Sequence, residues 1–117
     1  HQDDRVRDDA QALQIAGGNR DIAAQLFTKL ADELPGTCGQ LRDALQAADW
    51  ETLWEHAHRL RGACAVCATP ALLQAVDRLE ARITDQAFAS AQQALAAVER
   101  EAQRVMEEAA RDSSIEA

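Results

Sequence analysis

The residues best suited to chemistry are His58, Arg61 and Gly62, within the run His56-Ala57-His58-Arg59-Leu60-Arg61-Gly62-Ala63-Cys64. On a helix turning about 100° per residue, Arg61 falls about 60° to one side of His58, Gly62 about 40° to the other, and Ala65 about 20° away. Leu53, Leu60, Cys64 and Cys67 fall between about 180° and 240° on the same wheel, so the apolar stripe points away from His58. An imidazole placed this way stands in solvent, between a cation and a gap where a side chain would otherwise be. That suits a histidine which another protein must reach in order to leave a phosphoryl group on it. An unpaired ring nitrogen is the nucleophile and a guanidinium balances the anion. Glycine is about 1 kcal/mol worse than alanine inside a helix, so its presence there points to a steric purpose, the close approach of a partner.

Each residue also has a plainer reading. His58 could be a surface histidine without a task, Arg61 a solvated charge, and Gly62 the site of a tight helix crossing, although its angle lies off the apolar stripe. Trp54, one turn before His58, either anchors a partner or packs under the N-terminal helix. Glu51 and Glu55 complete the face as rim residues, because carboxylates repel phosphate. His56 lies at about 160°, on the edge of the core stripe, and reads as a partly buried packing residue. Cys64-x-x-Cys67 invites a zinc reading, but His56 and Cys64 are about 12 Å apart along a helix, too far to share one ion at about 2.0–2.3 Å. A redox pair normally sits at a helix N-terminus, and this one sits at a C-terminus. Both cysteines therefore read as core, and no metal site is expected.

The elements that must position these residues are all helical. Alanine, leucine, glutamate, glutamine and arginine dominate a chain of 117 residues with 3% aromatics, and β-branched residues never alternate. Asp3 and Asp4 open a predicted helix to Ile15, stopped by Gly17-Gly18. Asn19 caps the next, with Ile22, Leu26 and Leu30 every fourth residue. Pro35-Gly36 breaks or bends it before a third helix carrying Leu41, Ala44, Leu45 and Ala48. Asp49 caps a helix over Trp50 to Cys67, and Thr69-Pro70 opens another bearing Leu72, Val76, Leu79 and Ile83. Thr84 or Asp85 starts the last, whose Phe88, Ala91, Leu95, Val98, Ala102 and Val105 form a bundle seam. Short connections make neighbours antiparallel. The expected fold is all-α, an antiparallel four-helix bundle with one or two N-terminal capping helices.

One domain fills residues 1–117, with 112–117 expected to fray. Residues 1–3 read as a cloning remnant or linker, and the start without methionine suggests a fragment of a longer chain. A net charge of −8 without a basic cluster argues against nucleic acid and against an anionic membrane surface. No apolar run approaches a membrane span. Three cysteines, two of them in one helix, fit reduced thiols of a cytoplasmic protein. No Gly-rich phosphate loop is present, so the chain is not expected to be a kinase by itself.

The run His58-Arg59-Leu60-Arg61-Gly62 resembles the core pattern of the histidine phosphotransfer (HPt) domain, His-x-Leu-Lys/Arg/His-Gly. The stretch Ala63-Cys64-Ala65-Val66-Cys67-Ala68-Thr69-Pro70-Ala71-Leu72 is similar to the HPt domain that ends BarA/GacS-type hybrid sensor kinases. Ala16 to Ala23 and Leu79-Glu80 also suit that group. Two departures stand out: Ala68 occupies a position where many members have glycine, and Arg61 one where many have lysine or histidine. The resemblance implies a phosphoryl carrier with His58 as acceptor, supported by Arg61 and Gly62. It also implies that Glu80 binds the other ring nitrogen. Trp54, Glu55, Arg59 and Ala65 would meet a receiver domain, first that of the same hybrid kinase and then that of a response regulator. The carrier needs no cofactor, since the receiver holds the magnesium. A monomeric domain is expected, cytoplasmic, in a parent kinase anchored in the inner membrane. The competing reading is a helical adaptor, or a degenerate HPt domain that binds receivers without carrying phosphate.

Overall fold

The computed structural model describes residues 3–116, with side chains for residues 3–112. It contains five helices: α1 (Asp9–Ile15), α2 (Arg20–Gln46), α3 (Trp50–Cys67), α4 (Pro70–Thr84) and α5 (Phe88–Glu116). Each of α2 to α5 packs on the next, α5 closes on α2, and α1 lies against α2 and α3. The result is the expected four-helix bundle with a single capping helix.

The apolar periodicity explains the closure. Phe27, Leu34, Leu41 and Leu45 of α2 are fully buried against Leu53 of α3, Leu72, Val76 and Leu79 of α4, and Leu95, Val98 and Val105 of α5. The α5 seam is the expected one except at its start, where Phe88 is exposed. On α2 the buried stripe is Ala23, Phe27, Leu30, Ala31 and Leu34, while Ile22 is exposed and Leu26 only half-buried. A strict fourth-residue repeat drifts about 40° per step around the helix, so it cannot track one face.

α2 continues through Pro35 as one helix, where the sequence led to a break or bend followed by a third helix; no separate helix starts there. Proline removes one backbone hydrogen bond and crowds the preceding turn, at about 3 kcal/mol. Here Leu34 and Leu41 are both fully buried on either side of it. The stripe keeps its phase across the proline, and burying both ends against the same partners outweighs the lost bond.

Four of the connections end in the same backbone device. Gly17, Ala48, Ala68 and Gln86 all have positive φ, between 51° and 67°. In each, the residue after it donates back to a carbonyl five residues earlier: Gly18 to Leu13, Asp49 to Ala44, Thr69 to Cys64 and Ala87 to Arg82. These are Schellman caps, which satisfy carbonyls the helix would leave open. Ala68 therefore ends α3 as a glycine would, with φ 55° and ψ 57°. The Gln86 turn also corrects the start of the last helix. Asp85 caps the end of α4 rather than opening α5, which begins at Phe88.

The N-terminal residues differ most from expectation. Residues 3–8 are not helical; they form a strap over the α3–α4 turn. Asp8 N–H donates to Ala68 O at 2.8 Å, Ala71 N–H to Arg5 O at 3.1 Å, and the Gln74 side chain to Asp3 O at 3.1 Å. Those backbone groups are engaged by tertiary partners, so the helix waits for Asp8, whose carboxylate caps Gln11 N–H. At the other end α5 continues through Asp112 to Glu116. Residues 1–2, Ala117 and the side chains of 113–116 lie outside the described residues.

Candidate functional site

α3 starts where Asp49 accepts a hydrogen bond from Thr52 N–H and buries Leu53, Ala57, Leu60, Cys64 and Cys67. That stripe fixes the rotation of the helix and turns His58 outward. Its side chain is 57% exposed, enough for a second protein to reach the ring. The adjacent turn of the helix supplies Trp54, whose ring stacks on the imidazole with centroids 4.6 Å apart and planes 10° from parallel. Trp54 is half-exposed and lies on His58, not beneath the N-terminal helix.

The tight α3–α4 turn folds α4 back along α3, so residues equidistant from it meet. His58 Nδ1 lies 3.3 Å from Glu80 Oε1, the residue that the resemblance singled out. A carboxylate at Nδ1 favours the tautomer with its proton there, leaving a lone pair on Nε2, which points away from the contact. The second pair was not foreseen: Arg61 Nε donates to Asp77 Oδ1 at 2.6 Å. The reflection that pairs His58 with Glu80 also pairs Arg61 with Asp77, so the signal was present in the sequence. Asp77, and more weakly Glu80, raises the pKa of the Arg61 guanidinium above its already high value.

Gly62 is exposed, and a Cβ built on it would meet nothing within 4 Å. No crossing helix requires this glycine. Beside it, an open groove of about 280 Å³ between α2 and α3 is lined by Leu26, Lys29, Leu30, Gly62 and Val66, among others. Val66 is exposed despite its size. Glu55, Arg59 and Ala65 are exposed on the same side of α3.

His56 points the other way. It is half-buried and faces a small groove with Leu30, Thr37 and Leu60. Cys64 and Cys67 are buried free thiols, and burial pushes the Cys64 thiol up to about 12. A neutral thiol in the core is neither nucleophile nor metal ligand. Among the described residues no three His, Cys, Asp or Glu side chains gather as a metal site would require. No helix among them is long and apolar enough to cross a membrane.

The chain is similar to known proteins in both sequence and fold. The family model described as Hpt domain matches residues 25–108. The chain is 34% identical over 76 residues to the sensor histidine kinase GacS of Pseudomonas protegens, covering 65% of this chain and 8% of that protein. It is 33% identical over 107 residues to the sensor protein GacS of Pseudomonas syringae pv. syringae, covering 86% and 12%. It thus spans about a tenth of the length of these curated relatives. The crystal structure of the HPT domain from a Shewanella sensor hybrid histidine kinase has a TM-score of 0.82, at 21% identity over 96% of this chain and 97% of that one. At that identity the likeness speaks for the fold. With the family model covering most of the bundle and both His58 and Glu80, this chain belongs to the Hpt domain family, the phosphotransfer modules of histidine phosphorelays.

Proposed function

We propose that His58 is the phosphoacceptor of this phosphotransfer domain and that its Nε2 is the reacting atom. The observation that carries this is the exposed ring held through Nδ1 by Glu80. A receiver domain bearing an aspartyl phosphate docks on the outer face of α3. The Nε2 lone pair attacks phosphorus in line, the P–N bond forms, and the P–O bond breaks with its electrons leaving on the receiver's carboxylate. The Nδ1 proton stays between the ring and Glu80, which offsets the positive charge that develops on the imidazole. In the reverse geometry, a second receiver takes the phosphoryl group onto its own aspartate.

Trp54 and Glu80 together orient the ring, one by stacking and one by the hydrogen bond. Arg61 supplies charge to the phosphoryl oxygens, and Gly62 keeps the approach open. Trp54, Glu55, Arg59 and Ala65 form the docking rim. The chemistry of phosphoryl transfer is largely positioning and charge neutralisation, and the receiver brings the magnesium, so this chain needs no cofactor of its own. We place the domain, as a monomeric module, in a hybrid sensor kinase anchored in the inner membrane. It stands on the cytoplasmic side, between that kinase's own receiver and the receiver of a response regulator.

The test is transfer from a labelled, phosphorylated receiver. The wild-type domain should acquire acid-labile, base-stable label, and His58→Gln should acquire none while melting close to wild type. Label persisting on His58→Gln would assign the chemistry to another residue. Receiver binding without transfer by the wild type would make the domain an adaptor.

A further inference from the structure

Arg61 is held by Asp77 through its Nε–H, and a phosphoryl group on His58 would compete with that carboxylate for the same guanidinium. On α3, His58 and Arg61 stand one turn apart; on α4, Glu80 and Asp77 stand one turn apart opposite them. Each α3 residue is held by its α4 counterpart, through the 3.3 Å contact for His58 and the 2.6 Å bond for Arg61. The two pairs differ in what phosphorylation does to them. Phosphate on Nε2 leaves the Nδ1 contact intact, whereas a dianion one helical turn from Arg61 competes for the guanidinium.

We propose that Asp77 is a positioning residue that holds Arg61 while His58 is bare and yields it when His58 is phosphorylated. This rests on His58 being the acceptor. The exchange is easy in both directions because the pair is exposed, at 43% for Arg61 and 47% for Asp77. Exposed carboxylate–guanidinium pairs are weak, since water competes for both partners. A phosphoryl dianion carries more charge and three acceptor oxygens, and so attracts the guanidinium more strongly. Arg61 is long enough to swing about its own stem, and no backbone movement is needed. Its Nε–H, given to Asp77 while His58 is bare, is freed to donate in the new arrangement.

Asp77 thereby sets how firmly the domain holds its phosphoryl group. Each phosphohistidine formed must first draw Arg61 from Asp77, and each transfer onward is helped by Asp77 recovering it. The carboxylate lowers the stability of the phosphorylated state, which keeps a carrier able to pass its group on.

The experiment loads the isolated domain with phosphoramidate, which transfers its phosphoryl group to an imidazole and releases ammonia. The lifetime of phosphohistidine is then followed at neutral pH in five proteins: wild type, Asp77→Asn, Asp77→Glu, Arg61→Ala, and Arg61→Ala with Asp77→Asn. Asp77→Asn should lengthen the lifetime about two- to five-fold, the range an exposed ion pair supports. Asp77→Glu should stay near wild type, and Arg61→Ala should shorten the lifetime. The double variant should match Arg61→Ala, because Asp77 acts only through the arginine. The Arg61 Nε–H resonance should shift when wild type is phosphorylated, and a role confined to fold stability would not move it.

An unchanged lifetime in Asp77→Asn overturns the proposal. An equal gain with and without Arg61 also overturns it, by showing that Asp77 merely repels phosphate. His58→Gln is loaded alongside as a control: label taken up equally by it would overturn the acceptor assignment, and this proposal with it, at the loading step before any lifetime is read.

Discussion

Single residues in this domain have effects that local chemistry predicts with sign. At Gly62, helix propensity and docking pull in opposite directions. A methyl group there meets open space, so Gly62→Ala should raise stability by about 0.5–1 kcal/mol. Gly62→Gln should fold at least as well as wild type while obstructing the face beside His58. Thermal midpoints measured with transfer rates decide the matter: both variants should transfer more slowly per folded molecule, glutamine more so. Lower midpoints with normal transfer would end the docking explanation.

Cys64 offers a test in alkaline solution. Its thiol has an ordinary value of 9.0 and is pushed up to about 12 by burial. The folded state therefore keeps a proton that the unfolded state releases. By linkage, stability is full below about pH 9 and falls as pH rises toward about 12. The chain has no tyrosine and a single lysine, Lys29, but burial also raises the Cys38 and Cys67 thiols, so part of the fall persists without Cys64. Denaturation midpoints between those values should fall in wild type and fall less steeply in Cys64→Ala. The variant should start from a lower neutral-pH stability, by about 1–2 kcal/mol, because truncation leaves a small cavity. Parallel slopes in the two proteins would remove Cys64 from the account.

At the scale of elements, the turns hold the avoidable strain. Ala48 and Gln86 adopt φ values of 53° and 51°, a region where a side chain costs about 1–2 kcal/mol. Both are exposed, so glycine removes strain without losing buried contacts. Ala48→Gly and Gln86→Gly should each raise stability by about 1 kcal/mol, and together add nearly independently, because they sit in different turns. Denaturant midpoints at constant slope would show it. The same substitution at Ala68 should gain less, since its methyl packs with Ala12 and Ala23 beneath the strap. That contact gives a physical reason for alanine at this position.

Across the whole molecule, the N-terminal strap ties the site hairpin to the bundle. Arg7 lies over the Phe27 ring at 4.5 Å, and Asp9 and Asp112 approach it at 3.5 and 3.6 Å. One guanidinium thus joins the start of the chain, α2 and the end of α5. Arg7→Ala should lower stability by about 1–2 kcal/mol through the lost cation–π contact and ion pairs. Hydrogen exchange should show earlier opening of α1 and the strap than of α2 to α5. Uniform loss of protection along the chain would mean that the strap is part of one cooperative unit.

What the sequence by itself determined were the features that depend on near neighbours along the chain. The helical class, the bounds of α3, the outward turn of His58 and the core role of Cys64 all follow from spacing around one helix. The Glu80 contact was implied by the family resemblance, and Asp77 stands one turn before it on α4, opposite Arg61. Tertiary structure decided the rest. Proline ends an isolated helix, yet α2 passes through Pro35 because Leu34 and Leu41 are buried together in the assembled bundle. Residues 3–8 carry helix-starting aspartates, yet they stay out of a helix because the α3–α4 turn, α4 and Arg104 of α5 take their backbone groups. Those partners are distant in the chain, and local periodicity carries no record of them. Whether Arg61 is a free charge or a held one was likewise settled across the helix interface, where a carboxylate sixteen positions away competes with water for the guanidinium.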